Sequence, residues 1–278
     1  MCIAYFSIHG RMERMTYLVY SKEDGFASRA AEMLRDDAGF SAAPDIRGLR
    51  HFASGRIDML ELGSSPVYAD WLDEIGADEI VFISRHSSSK GIISFTAHAE
   101  GNWNGKSDLG GKPHALSIAS PGLMISFLKA MKGFAEGIEV VYEATHNGPL
   151  LDTPSCFVEL GPDAVINESD REELLRRLSK GVYAMLYGDS AQYDKVAVGI
   201  GGMHYSAKFT RYALEGKYAF SHIMSKYYVD EVDMLQAAID RSTIRPDTAV
   251  IEWKSINAVS RNRILAKLED IGMDYERV

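Results

Sequence analysis

The chain has 278 residues, 46% of them hydrophobic and 25% charged, and its 30 basic and 39 acidic side chains leave a net charge of −9. That length and balance suit one globular α/β domain over residues 1–278 with a sizeable core, and they exclude global disorder, collagen and coiled coil. The acidic total argues against a general nucleic-acid coat protein. No run of 18 apolar residues offers a membrane span, and the start MCIAYFSIHGRMERM lacks the basic stretch of a secretory signal. Two cysteines, Cys2 and Cys156, are too few for a disulfide framework, which fits a reducing, cytoplasmic setting.

In chain order, short β-branched and apolar runs predict strands at Thr16–Tyr20, Glu79–Ile83, Ile138–Ala144, Val196–Ile200 and Ala249–Trp253. Helical patterns cover Gly25–Ala38, Val67–Ile75, Val229–Asp240 and Asn257–Leu268. Two helices carry clearer signals. Ser120-Pro121 reads as a cap with proline at the first helical position, followed by Met124, Phe127, Leu128 and Met131 on one face and Gly133 at the end. Ser169 with Glu172 reads as a capping box ahead of Leu174, Leu175, Leu178, Val182 and Met185. Strands alternating with helices predict an α/β fold with a central parallel or mixed sheet and helices on both faces. One segment stands apart. Ser84–His114 holds five glycines and three histidines with little apolar periodicity, and reads as a long functional loop that has room for a short hairpin near Ile92–Thr96.

Three polar clusters follow three of these strands: Ser84-Arg85-His86-Ser87-Ser88, Glu143-Ala144-Thr145-His146-Asn147-Gly148-Pro149 and Gly201-Gly202-Met203-His204-Tyr205. Open α/β sheets bind ligands outside the carboxyl ends of their strands. If the three strands are parallel neighbours, His86, His146 and His204 meet in one crevice, and His98 reaches it from the long segment. Neutral imidazoles with a carboxylate suit Zn²⁺ with an open position for water, the chemistry of ester or amide hydrolysis. Glu143 and His146 share such a site only if the strand ends by Ala144 and the chain turns, since residues three apart on a strand point to opposite faces. Glu143 can instead orient a histidine. The competing reading of each histidine is a hydrogen-bonded core or loop residue, because no HExxH, paired CxxC or HxH motif is present.

Other residues carry paired readings. Arg85 can clamp a substrate anion or make a structural ion pair. Trp103, in Gly-Asn-Trp-Asn-Gly, can stack a base or pin its loop to the core. Gly199-Ile200-Gly201-Gly202 lacks nucleotide-binding spacing, and its N–H groups either receive an oxyanion or close a tight turn. Ser87–Ser89 form no nucleophile elbow, since no GxSxG surrounds them. Charge is uneven: Lys195–Lys226 carries Lys195, Lys208, Arg211, Lys217 and Lys226 against Glu215 alone, and Lys254–Lys267 carries four bases and no acid. Such a face can hold a polyanion or be a solvated surface.

The strings FISRHSSS, TAHAEGNW, YEATHNGP and GIGGMHYSAKFT, in this order, resemble the archaeal and plant type of D-aminoacyl-tRNA deacylase, the zinc-containing family. The resemblance spans nearly the whole chain. It implies hydrolysis of the ester between a D-amino acid and the 3′-terminal ribose of tRNA, a zinc cofactor, and a fold related to peptidyl-tRNA hydrolases and nucleoside phosphorylases. It implies His86, His146 and His204 as catalytic residues, with His86, His98, Glu143, His146 and His204 as the metal-ligand set. Arg85, Trp103, Gly201, Gly202, Lys208 and Arg211 are the expected substrate contacts. A metal-activated water would attack the ester carbonyl, an unliganded histidine would move protons, and Lys208, Arg211, Lys217 and Lys226 would receive phosphates. A cytoplasmic monomer that binds neither DNA nor membrane is expected. The competing functions are a zinc exopeptidase or amidohydrolase acting on small substrates, a metal-free tRNA-end hydrolase, and a non-catalytic RNA-binding module.

Overall fold

The computed structural model describes residues 15–86 and 91–278; Cys2, His9 and the three serines at 87–89 lie outside them. The chain opens on β1 (Thr16–Ser21), buried along its whole length. The Asp24 carboxylate then accepts from the Phe26 and Ala27 N–H groups and caps α1 (Gly25–Asp37), satisfying donors that a helix start leaves open. A meander of β2 (Ser41–Ile46), β3 (Leu49–Ser54) and β4 (Ile57–Leu62) follows. Arg47, Gly48 and Gly55 sit at φ of 53°, 76° and 64° in its two turns, as tight hairpins require. The sequence reading places no strand here, because β2 is largely exposed and has no apolar run.

The helix expected over 67–75 is two 3₁₀ turns, Pro66–Tyr68 and Asp70–Ile75. After β5 (Glu79–Arg85), the supposed loop over 84–114 is corrected. It contains β6 (Ser94–His98), every residue of which is buried, and β7 (Gly101–Asn102), which pairs with β8 (Ala115–Leu116). A strand covered on both faces shows no alternation, so periodicity missed it. Next come α2 (Pro121–Lys132), β9 (Glu139–Tyr142), β10 (Ser155–Gly161) and α3 (Glu168–Tyr187). The Ser120 hydroxyl donates to Glu79 rather than capping α2. The last third contributes β11 (Lys195–Ile200), α4 (Ala207–Leu214), β12 (Tyr218–Met224), α5 (Met234–Asp240), β13 (Thr248–Ile251), α6 (Ala258–Ile271) and β14 (Tyr275–Arg277). The helix expected from Val229 begins only at Met234.

Two sheets organise these elements. The larger has eight strands in the order β2-β3-β4-β1-β5-β10-β6-β9, and the smaller has four in the order β12-β11-β13-β14. In the larger sheet β4, β1, β5 and β10 are parallel, β6 runs antiparallel to β10, and β9 is parallel to β6. The smaller sheet is parallel throughout. The central sheet is therefore mixed and flanked by helices. The condition set for the three strands, that they be parallel neighbours, is not met: β9 runs opposite to β5 with two strands between them, and β11 belongs to the other sheet.

Alternation along β1 divides the core. Leu18 and Tyr20 pack with residues of α1, α2 and α3, whereas Tyr17 and Val19 pack with Leu72 and Leu151 on the opposite face. Leu235, Ile239, Ile264 and Leu268 of α5 and α6 cover the smaller sheet; burying each such side chain contributes about 1.5–3 kcal/mol. Backbone hydrogen bonds close the seam between sheets. Ala144 N–H donates to the His204 carbonyl at 2.8 Å, Ser206 N–H to that of Tyr142 at 2.8 Å, and Thr145 N–H to that of Ile223 at 2.9 Å. No helix among the described residues is long and apolar enough to cross a membrane.

Candidate active site

The seam brings four histidines to one carboxylate. Glu143, 1% exposed, has its Oε2 2.8 Å from His204 Nε2 and 3.8 Å from His146 Nε2, and its Oε1 3.3 Å from His86 Nδ1. Glu159 lies beside it, with Oε2 3.5 Å from His86 Nδ1 and Oε1 3.9 Å from His98 Nε2. The His98 and His146 rings are 4.1 Å apart, and the His146 and His204 rings 4.8 Å.

Each placement has a local cause. In the larger sheet His98 is paired with Phe157 and Thr96 with Glu159, so period-two alternation puts His98, Phe157 and Glu159 on one face. His98 stacks on Phe157 at 5.1 Å. Strand β9 stops at Tyr142, one residue before Glu143, and Asn147 turns the chain at φ 61°. That early stop and turn are what let Glu143 and His146 face each other. A Cβ on Gly148 would lie 2.3 Å from both Gly111 N and Val67 O, so only glycine permits this close approach. His204 follows β11 across the seam.

The electrostatics follow from burial among opposite charges. Burial opposes the charge on His86, but the Glu143 and Glu159 carboxylates outweigh it and hold the imidazolium up to about 10. Burial likewise opposes charge on His98, which Glu159 raises to about 9. His146 goes the other way, pushed down to about 3 by burial and by the neighbouring His98 charge. Glu143 is held well below the usual carboxylate range by His204 and His86, against its burial. The His98 Nδ1 lies 3.1 Å from the Ala99 carbonyl and the His146 Nδ1 2.9 Å from that of Ala144. Donation to the Ala144 carbonyl leaves the Nε2 of the neutral His146 as an acceptor, whereas the protonated His98 carries an N–H on both ring nitrogens, with its Nε2 toward Glu159. Among the described residues, two groups have ligand atoms mutually within 4.8 Å, His86-Glu143-His204 and His98-Glu143-His146. A cleft of about 440 Å³ opens onto Asp24, Arg85, His86, His98, His146 and Glu159.

The remaining expected contacts are placed differently. Arg85 lines the cleft and pairs with Asp163 at 2.9 Å. Of the two readings of Trp103 the core one holds and the expected substrate contact does not: it is 1% exposed, and its Nε1–H donates to the Thr145 carbonyl at 3.0 Å. Gly201 and Gly202 are corrected as oxyanion donors, since their N–H groups already donate to the Met224 carbonyl and to Ser255 Oγ, both at 2.8 Å. Lys208 is 3.8 Å from Glu252, and Arg211 is 3.9 Å from Glu215. Sequence reasoning missed Glu159. Its signal was a carboxylate inside the apolar run SCFVELG, which needs a buried partner to be tolerated.

Comparison with known proteins narrows the class. The model of the D-aminoacyl-tRNA deacylase family matches residues 73–276. The D-aminoacyl-tRNA deacylase of Ignicoccus hospitalis is 35% identical over 92% of this chain and 97% of its own length. That of Thermococcus kodakarensis is also 35% identical, over 95% of this chain and 100% of its own. The crystal structure of a conserved protein of unknown function superposes with a TM-score of 0.85 at 28% identity, covering 95% of each chain. The molecule is thus a hydrolase built on a mixed α/β fold. More narrowly, the chain belongs to the D-aminoacyl-tRNA deacylase family.

Proposed function

We infer that the chain hydrolyses the ester between a D-amino acid and the 3′-terminal ribose of tRNA, in the cytoplasm, at the cluster centred on Glu143. The observation that carries this reading is the convergence of four histidines on one buried carboxylate beside an open cleft, in a chain of this family. No observation favours an exopeptidase or a non-catalytic RNA-binding module.

The donor set fits zinc. Imidazole nitrogens and carboxylate oxygens are its usual ligands, and Glu143 Oε1 is buried without a hydrogen-bond partner. His86, Glu143 and His204 would hold one ion; His98, Glu143 and His146 offer a second set. Zinc bound there would polarise a carbonyl and make a water more acidic.

The protein's own groups account for the rest. Glu159 faces His86 Nδ1 at 3.5 Å and His98 Nε2 at 3.9 Å, and so holds both rings only through the nitrogens they turn toward the cluster. The His146 Nδ1 is taken up by the Ala144 carbonyl, which leaves its Nε2, 3.8 Å from Glu143 Oε2, turned toward the cluster. That nitrogen would take the proton of the attacking water and return it to the departing ribose oxygen. Water adds to the ester carbon, the carbon–ribose oxygen bond breaks, and a free D-amino acid and tRNA are released. Arg85, at the cleft, keeps its guanidinium between Asp163 and Asp24 and orients the cleft wall. The test is hydrolysis of D-tyrosyl-tRNA against L-tyrosyl-tRNA and a small aminoacyl ester. Selective release from the D-tyrosyl-tRNA supports the reading, and equal action on all three contradicts it.

A further inference from the structure

All four strands of the smaller sheet run the same way, so their carboxyl ends form one edge. Along it, in the order of the strands, stand Lys226-Tyr227 after β12, Met203-His204 after β11, Trp253-Lys254 after β13 and Arg277 at the end of β14. At about 4.8 Å between neighbouring strands, this edge spans roughly 14 Å. His204 ties it to Glu143 at 2.8 Å, so the candidate active site meets the edge at β11, between Tyr227 and Trp253.

Its chemistry is basic and aromatic. Tyr227 is 63% exposed, its hydroxyl 3.7 Å from Met203 Sδ, and the Lys226 ammonium sits 5.4 Å from its ring centre. The Trp253 ring carries two guanidiniums, Arg277 at 4.0 Å and Arg261 of α6 at 4.7 Å. Arg261 Nε is buried without a hydrogen-bond partner. Among the described residues, no carboxylate lies within ion-pair distance of Lys226, Lys254, Arg261 or Arg277. Two nearby side-chain acids are engaged: Glu252 faces Lys208 at 3.8 Å, and Asp230 faces Ser260 Oγ at 2.8 Å and Arg263 at 3.5 Å; Val278, beside Arg277, accepts from the Trp253 N–H at 3.1 Å. On a chain of net charge −9, unpaired cations held in place by an aromatic ring are a site for a polyanion. By contrast Lys208, Arg211 and Lys217 of the other basic stretch each face a carboxylate.

We propose that this edge is a docking ledge for the unpaired 3′ end of an RNA, with Lys254, Arg261, Arg277 and Lys226 on its phosphates and Tyr227 stacking a base beside His204. Cationic grooves with an exposed aromatic ring are how single strands are held without sequence readout. The ledge rests on the reading that the substrate is a tRNA, and it names the surface that binds it.

The test is binding of uncharged tRNA, followed by fluorescence anisotropy across a KCl series, which needs no hydrolysis. Arg261→Gln/Arg277→Gln should weaken binding about tenfold at 0.1 M salt and flatten the log–log salt slope by about 1.4. Lys254→Gln/Arg277→Gln, which changes two exposed residues, should do the same should the first pair fold poorly. Tyr227→Ala should cost about tenfold and Tyr227→Phe little. For D-aminoacyl-tRNA these variants should raise KM and leave kcat nearly unchanged, while Arg176→Gln/Lys180→Gln on the exposed side of α3 should change neither. Unchanged affinity and salt slope in the ledge variants, or no binding of tRNA by the unaltered chain, overturns the ledge. Intact tRNA binding without release of any D-amino acid overturns the reaction and leaves the ledge standing.

Discussion

His204 Nε2 lies 2.8 Å from Glu143 Oε2 across the seam of the two sheets, and the same oxygen is 3.8 Å from His146 Nε2. One carboxylate therefore belongs to both candidate ligand sets. Changing it to Gln keeps the shape and removes the charge. Glu143→Gln should purify with much less zinc than the unaltered chain and should lose what remains faster to a chelator. Metal analysis by mass spectrometry reads this directly, and equal zinc in both proteins contradicts a shared ligand.

His222 supplies a pH prediction away from the ligand sets. It is fully buried, with Nε2 2.9 Å from the Arg241 carbonyl and Nδ1 3.2 Å from Thr145 Oγ1. Burial pushes it from 6.5 down to about 4, with the Arg241 carbonyl acting against the shift. The unfolded chain takes up this proton near 6.5 and the folded chain only near 4, so the folded state loses stability as the pH falls through that window. The loss is at most about 1.4 kcal/mol per pH unit. Urea midpoints between these limits should show a steeper decline for the unaltered chain than for His222→Gln. Parallel curves contradict the assignment.

Much of the site was readable because its histidines sit in polar, glycine-rich strings that break apolar runs. The route to their convergence was not. Residues at the ends of β5, β9 and β11 meet although β9 opposes β5 and β11 is in another sheet, and the seam bonds of Ala144 and Thr145 depend on long-range pairing that spacing does not encode. Glu159 was missed with its strand, and Tyr218–Met224 was missed because Ser221 and His222 interrupt its apolar run while being buried. The exposed β2 has no apolar pattern to read. Trp103 shows why both of its readings stood open: a polar neighbourhood in sequence, yet a core position in space.

Gly148 bears on the candidate site through packing. With a Cβ 2.3 Å from Gly111 N and Val67 O, Gly148→Ala must push the 66–67 and 110–111 segments away from the cleft wall and shift His146 with them. Overpacking of this kind costs about 1–3 kcal/mol. The expected result is a lower melting temperature together with at least tenfold lower kcat/KM. Full activity at unchanged stability contradicts the close approach.

Trp103 separates a structural role from a substrate contact. Trp103→Phe removes one buried donor to the Thr145 carbonyl, a loss of about 1–3 kcal/mol. Thermal unfolding should fall by a few degrees, with KM for D-aminoacyl-tRNA unchanged. A raised KM at unchanged melting temperature would restore the stacking role.

The most direct measurement is single-turnover hydrolysis of D-tyrosyl-tRNA by Glu143→Gln beside the unaltered chain, with circular dichroism to verify that both are folded. A carboxylate that gathers four imidazoles around the reacting ester predicts a rate lower by at least about 10²-fold. A folded Glu143→Gln protein that releases D-tyrosine at the original rate contradicts the account.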